Sequence, residues 1–145
     1  MTPSYRAGVV VVIFIGDKVA LFERSDCPGS WGFVQGGIEE GEAPAQAAQR
    51  ELAEEAGLYL IPRYSSYSPI TAYRFPPGVE KDYYIGQAHE WFYVSLDEAS
   101  FKLGPEFAQV KLVPCAWEIV QWDIVPFKRK VFFEGYWGCL LSRED

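Results

Sequence analysis

The residues best suited to chemistry are three glutamates, Glu51, Glu54 and Glu55, in the stretch Gly36 to Leu58, GGIEEGEAPAQAAQRELAEEAGL. From Glu42 to Glu55 this stretch is built of Ala, Gln, Glu, Arg and Leu, all good helix formers. Pro44 suits a first helical turn and Gly57 a C-terminal cap. On that helix, offsets 0, 3 and 4 put the three carboxylates on one side. Ala45, Ala48, Leu52 and Ala56 form an apolar stripe roughly 110° away, so a packing face and a carboxylate face are expected together. Like charges at this spacing repel by about 0.2–0.5 kcal/mol per pair. A hard divalent cation reverses that sign: Mg²⁺ takes oxygen ligands, keeps several waters, and usually meets its substrate through phosphate oxygens. An isolated acidic cluster is more often a solvated face. Here Arg50 stands directly before it, able to pair with Glu54 at i+4, and the Gly36-Gly37 bend permits close backbone approach.

Gly36, Glu42, Arg50-Glu51-Leu52, Glu54-Glu55 and Gly57-Leu58 recur at the spacing of the Nudix box, and the chain resembles Nudix hydrolases at every fixed position of it. The resemblance implies an α/β/α sandwich with a central mixed sheet, in which the box forms a loop–helix–loop. We read residues 1–145 as a single domain of this kind. The resemblance also implies a Mg²⁺- or Mn²⁺-dependent hydrolase of a nucleoside diphosphate linked to another group. By the same resemblance, Glu51, Glu54 and Glu55 are the metal ligands, Gly36 offers its carbonyl to a metal, Arg50 orients a carboxylate, and Glu42 buttresses the helix. Metal-activated water attacks phosphorus, and a carboxylate takes its proton. That carboxylate is Glu54 or a glutamate further downstream.

Four other stretches resemble the bacterial RNA pyrophosphohydrolases, a group that overlaps the dinucleoside polyphosphate hydrolases. They are Tyr5-Arg6 with Gly8, Trp31 to Gly37, Ile85 to Phe92, and Pro126 to Phe132. What this implies is a substrate with a flat base and a chain of phosphates. Phe127 and Arg24 sandwich the base, each stacking contact being worth about 1–3 kcal/mol. Arg6 lies near the phosphates, with Lys128 and Arg129 adding positive charge. Glu106, in Gly104-Pro105-Glu106-Phe107, matches a downstream glutamate that reaches back to a metal. The leading expectation is removal of pyrophosphate or phosphate from the 5′ end of tri- or diphosphorylated RNA. The alternative is asymmetric cleavage of diadenosine tetraphosphate or a relative, and behind it a nucleoside triphosphate pyrophosphatase. A non-catalytic nucleotide-binding regulator fits poorly with an intact Arg50, Glu51, Glu54 and Glu55.

The chain also departs from the group. After Glu106-Phe107 it reads Ala108-Gln109-Val110-Lys111-Leu112, where the group carries Gly-Trp followed by Trp, and so loses flat aromatic surface near the metal site. His89 stands between Ala88 and Glu90 and reads as a surface or strand residue. Trp31, beside the box loop, is placed to line a pocket or, as the first reading, to pack in the core; Trp91 reads as core packing, and Trp117, Trp122 and Trp137 as core or interface.

The elements that must position these residues are legible in part. Gly8 to Ile15 (GVVVVIFI), a Gly16-Asp17 turn and Lys18 to Glu23 read as a hairpin. Ser25 to Ser30 is a loop. Leu58 to Ile61, Tyr64 to Tyr73 and Tyr84 to Leu96 carry strand-type residues, and Arg74 to Asp82 is a loop. Leu96 to Ala99 suggests a helical turn and Lys111 to Val113 a last short strand, before a helix from about Pro126 to Tyr136. Strands, helix, strands and helix together suggest one mixed sheet with helices on its faces. With 145 residues and a net charge of −7, the chain is long enough for a sizeable core. It is too acidic to coat nucleic acid through bulk charge, so no extended nucleic-acid surface is expected. Cys27, Cys115 and Cys139 lack zinc-site or redox spacing. With no signal peptide or membrane span visible, a cytoplasmic protein without membrane partners is expected.

Overall fold

A computed structural model of the chain describes residues 4–78, 84–115 and 126–144, the side chains of Pro126 and Phe127 excepted. Strands β1 (Ser4–Ile15) and β2 (Lys18–Arg24) form the expected hairpin, with Phe14 opposite Val19 and Ile15 opposite Lys18. Gly16, at φ 60°, supplies the left-handed residue that a two-residue turn requires. Next come β3 (Trp31–Gly32), β4 (Val34–Gly37), the helix α1 (Pro44–Ala56), β5 (Arg63–Tyr64) and β6 (Ile70–Arg74). Then β7 (Tyr84–Leu96), β8 (Phe107–Pro114) and the helix α2 (Pro126–Glu144) complete the order.

The strands make one mixed sheet around β1. On one side β1 runs parallel to β7 along its whole length, from Ser4 opposite Tyr84 to Ile15 opposite Leu96. On the other it pairs antiparallel with β4 and with β2, and β2 in turn carries β3 and β8. Beyond β7 lie β5 and β6, both antiparallel to it.

The near-continuous apolar run of β1 is what a strand covered on both faces requires. Val9, Val11, Ile13 and Ile15 face a layer containing Ala47, Ala48, Leu52 and Ala56 of α1. Val10, Val12 and Phe14 face Phe132, Tyr136 and Cys139 of α2. The molecule is therefore an α/β/α sandwich with a central mixed sheet. Among the described residues no helix is long and apolar enough to cross a membrane.

Several elements differ from the sequence expectation. Leu58 to Ile61 is not a strand: Leu58 and Leu60 lie against the α1-side core, while Tyr59 and Ile61 are 83% and 79% exposed. Pro62 follows, without a donor to extend a ladder. Tyr64 to Tyr73 is broken into β5 and β6 by Ser65 to Pro69, where Ser68 takes φ 47°. Leu96 to Ala99 contains no helical turn, and the last strand is eight residues long rather than three. The final helix runs on past Tyr136 to Glu144. Its glycines are sites of close approach, not breakers. A Cβ on Gly135 would strike the Trp91 ring, and one on Gly138 the Tyr67 carbonyl.

Trp91 is core, as expected, but Trp137 is not: it is exposed and stacks on Phe133. Trp117, Trp122 and residues 79–83 of the long loop lie outside the described residues.

Candidate active site

Helix α1 begins with Pro44 at its first turn, and the Gln46 side chain accepts the Ala43 amide at 2.8 Å. It ends on Gly57 in the left-handed conformation at φ 71°, whose amide reaches the Ala53 carbonyl while that of Leu58 reaches Leu52. The buried side of the helix is Ala47, Ala48, Glu51, Leu52, Glu55 and Ala56. Ala45, placed on the apolar stripe from sequence, is exposed. The packing face and the carboxylate face thus overlap: Glu51 and Glu55 belong to the interior and only Glu54 projects into solvent.

Arg50 organises this corner. Its Nε and Nη2 donate to the two carboxylate oxygens of Glu42 at 2.8 and 3.0 Å. Nη1 donates to Glu51 at 2.7 Å, and Nη2 to the Gly37 carbonyl at 2.9 Å. The anticipated pairing with Glu54 is the longest of these contacts, at 3.5 Å. The bidentate grip clamps the glycine bend to the helix. Hydrogen bonds from Arg50, and then from the Glu39 amide, hold the Glu42 carboxyl down to about 2. Gly36 must lack a side chain, because a Cβ there would occupy the position of the Glu51 carboxylate.

One oxygen from each of Glu51, Glu54 and Glu55 lies within 4.8 Å of the others. Burial raises the Glu55 carboxyl to about 7, reinforced by the charges of Glu106, Glu51 and Glu54. Glu51 is also raised, chiefly by burial, with Arg50 opposing the shift. Glu55 Oε2 is buried without a partner. Hard oxygen donors, mutual repulsion and an orphaned carboxylate oxygen fit a divalent cation such as Mg²⁺ or Mn²⁺.

Two clefts meet at this corner. The larger, about 530 Å³, is lined by Arg24, Asp26, Trp31, Lys128 and Phe132 among others. The smaller, about 250 Å³, is lined by Arg6, Gly8, Gly36, Glu51 and His89. Gln35, Gln87 and Glu106 line both, so the two adjoin.

Arg24 ends β2 and is held flat by Asp26, with Nε and Nη2 donating at 2.9 and 2.7 Å. The Ser25 amide donates to the Glu106 carbonyl at 2.8 Å, tying the Arg24 loop to the loop that carries Glu106. Glu106 itself is exposed and falls outside the tight carboxylate trio, though its charge acts on Glu51 and Glu55. Arg6 lies in β1 beside Gly37, where a Cβ would stand 2.7 Å from its Nη2. Lys128 is over the Tyr73 ring at 5.5 Å. Arg129 is exposed and lines neither cleft. The Phe127 side chain is outside the described residues.

For two aromatic residues the structure decides between the alternatives read from sequence. Trp31 lies at the wall of the larger cleft with Lys111 4.1 Å above its ring, partly buried against the edge of the α2-side core. His89 is in a strand but not at the surface: it is 3% exposed, covered by Tyr73 and Phe132. Gln35, Gln87 and Asp26 were not singled out from sequence. Their positions beside Gly36-Gly37, within Ile85 to Phe92 and two residues after Arg24 are the only signals of them.

Residues 4–134 match the NUDIX domain. The chain belongs to the Nudix family. Among its relatives, the RNA pyrophosphohydrolase of Helicobacter pylori (strain G27) is 37% identical over 140 residues, covering 89% of each chain. Nudix hydrolase 25 of Arabidopsis thaliana is 33% identical over 150 residues, covering 92% of this chain and 85% of that protein. Among solved structures, the E. coli dihydroneopterin triphosphate pyrophosphohydrolase superposes with a TM-score of 0.70 at 23% identity, covering 89% of this chain and 94% of that one. With its acidic cluster in place, this Nudix protein is a hydrolase of phosphoanhydride bonds.

Proposed function

We propose that this Nudix hydrolase acts on the 5′ end of tri- or diphosphorylated RNA, releasing pyrophosphate or phosphate and leaving a monophosphate. The observation that carries the reading is that the two clefts share Gln35, Gln87 and Glu106 as lining. A cleft with flat aromatic and guanidinium surfaces adjoins one lined by the carboxylates of Glu51 and Glu106. A terminal nucleoside followed by a phosphate chain has that shape, and the H. pylori relative supports the choice of RNA.

In this reading Glu51, Glu54 and Glu55 hold Mg²⁺ or Mn²⁺, with Glu106 and the Gly36 carbonyl completing the oxygen set. A cation held there would supply a water of lowered pKa and would offset charge developing on phosphate oxygens. Arg50 holds one oxygen of Glu51, leaving the other for a cation. Arg24, flattened by Asp26, is one face of the base site and Phe127 the other. Arg6 and Lys128 attract the phosphates, and Arg129 adds charge at the rim. The attacking water loses its proton to Glu54 or Glu106, the two exposed carboxylates of the group. No membrane or extended RNA surface is involved, and the compartment is the cytoplasm.

Presenting 5′-triphosphorylated RNA, diadenosine tetraphosphate and free nucleoside triphosphates side by side with Mg²⁺ tests the reading through kcat/KM. RNA is expected to lead. A preference above tenfold for free triphosphates overturns it, and a lead for diadenosine tetraphosphate transfers the site to dinucleoside polyphosphates. In the same assay Glu54→Gln is expected to lose orders of magnitude in kcat with the fold intact. Activity within about threefold of the parent removes Glu54 from both metal binding and proton transfer, and Glu106→Gln gives the parallel answer for Glu106.

A further inference from the structure

His89 is a buried polar side chain with one ring nitrogen unpartnered. It sits in β7 opposite Gly8 of β1, stacked on Tyr73 with ring centroids 6.0 Å apart and met edge-on by Phe132 at 5.7 Å. Its Nδ1 is enclosed without a hydrogen bond. Its neighbours in the same strand are served: the Trp91 indole N–H donates to Thr71 Oγ1 at 2.8 Å, and the Tyr93 hydroxyl to the Ser142 carbonyl at 3.4 Å. A buried polar group left unpaired is destabilising, and an apolar side chain of similar shape would serve the core better.

The opposite edge of the ring faces the smaller cleft. A Cβ added to Gly8 would stand 3.1 Å from His89 Cδ2, 3.4 Å from Nε2 and 2.8 Å from the Gly36 carbonyl oxygen, and Gly8, Gly36 and His89 all line that cleft. The absence of a side chain at Gly8 is what leaves the Cδ2–Nε2 edge in reach of a bound molecule. Arg6 lines the same cleft, and the charges of Arg6 and Lys128 both bear on the imidazole. With burial they hold its pKa down to about 4, so the ring is neutral at pH 7 and keeps a single N–H to donate.

We propose that His89 is a substrate-positioning residue whose Nε2–H donates to a nonbridging oxygen of the phosphate chain as it crosses from the larger cleft to the carboxylates. The assignment rests on the proposed reading of the smaller cleft as the seat of the phosphates, but not on RNA as the substrate. A neutral donor between two cations fixes an oxygen without adding charge that the leaving phosphate would have to escape. Inorganic phosphate chains share the same oxygens, so the role extends to any polyphosphate that enters.

The test compares His89→Leu, His89→Gln and His89→Asn. Gln places its amide near the position of Nε2 and Asn near that of Nδ1. Three quantities are read: Tm, Kd for methylenediphosphonate with Mg²⁺ by calorimetry, and KM and kcat on 5′-triphosphorylated RNA. Expected are a Tm for His89→Leu equal to or above the parent, with Kd and KM raised about tenfold and kcat little changed. Gln restores Kd to within threefold and Asn does not. An unchanged Kd in His89→Leu overturns the proposal, as does equal weakening in Gln and Asn with lowered Tm, or no binding of the diphosphonate by the parent. Should the Leu variant not fold, the Gln and Asn pair decides alone. Loss of RNA turnover in the parent with the diphosphonate pattern intact removes the RNA reading and leaves His89 in place. RNA turnover with indifferent His89 variants does the reverse.

Discussion

Glu55 shows how a single carboxylate is prepared for a cation. It is 5% exposed, lacks a partner for Oε2, and has its pKa raised to about 7 by burial first and then by Glu106, Glu51 and Glu54. Without metal, the folded protein binds this proton more tightly than the unfolded chain does. The resulting stability is fully present below the ordinary value of 4.5 and is lost as pH rises through about 7. A divalent cation competes with that proton, so its stabilising effect must grow in the same interval. The rise in Tm on adding Mg²⁺ is therefore expected to be larger at pH 8 than at pH 6. Equal shifts at the two pH values would locate the cation away from Glu55. At this scale the sequence was informative about residue type and spacing: three glutamates at offsets 0, 3 and 4, with an arginine before them. It was silent on which of them are buried. The i+4 rule also pointed Arg50 at Glu54, whereas its shortest contacts run to Glu42 and Glu51, since only the folded bend brings Glu42 back to the helix.

Helix α1 does not end freely. The Lys102 amide donates to the Ala56 carbonyl at 3.0 Å and the Gly104 amide to the Glu55 carbonyl at 3.1 Å. Carbonyls that a helix end leaves unpaired are thus satisfied by the segment leading to Glu106. The same contacts set the distance between Glu106 and the helical carboxylates. A Cβ on Gly104 would collide with the Glu54 carbonyl. Gly104→Ala is expected to cost about 1–3 kcal/mol in urea unfolding and at least tenfold in kcat, because the Glu106 loop must lift. Lost stability with kcat retained would show that this docking serves the fold alone. Helix α1 and the first hairpin were legible because local chemistry dictates them: good helix formers between Pro44 and Gly57, and a glycine at the turn. The end of α2 was not, since Gly135 and Gly138 look like breakers until Trp91 and Tyr67 are seen against them. Leu58 to Ile61 has the alternation of a strand but no neighbour to pair with, which a sequence cannot display.

At the scale of the whole molecule, the net charge of −7 sets how much of an RNA can be held. On the proposed reading, cations at the carboxylates together with Arg6, Arg24 and Lys128 would make one corner attractive to phosphate against the chain's overall negative charge. KM for 5′-triphosphorylated RNA is expected to level off after the first few nucleotides. Its salt dependence should correspond to about two or three phosphate contacts, a log–log slope of roughly −2 for a single strand. Continued tightening with length would reveal a track along the protein. The layered architecture was readable from the order of strands, helix, strands and helix, and the doubly apolar GVVVVIFI run fits it, since α1 and α2 cover that strand on its two faces. The parallel partner of that strand carries a further consequence. Ser4 to Ile15 pairs with Tyr84 to Leu96, far along the chain, so the most apolar segment of the protein leaves the ribosome long before its partner does. Until then it is an open template for aggregation. Nascent chains halted before β7 should need a chaperone that full-length chains do not. The acidic helix α1 is made before β7, but its carboxylates can be gathered into a working site only once the other half of the sheet has arrived.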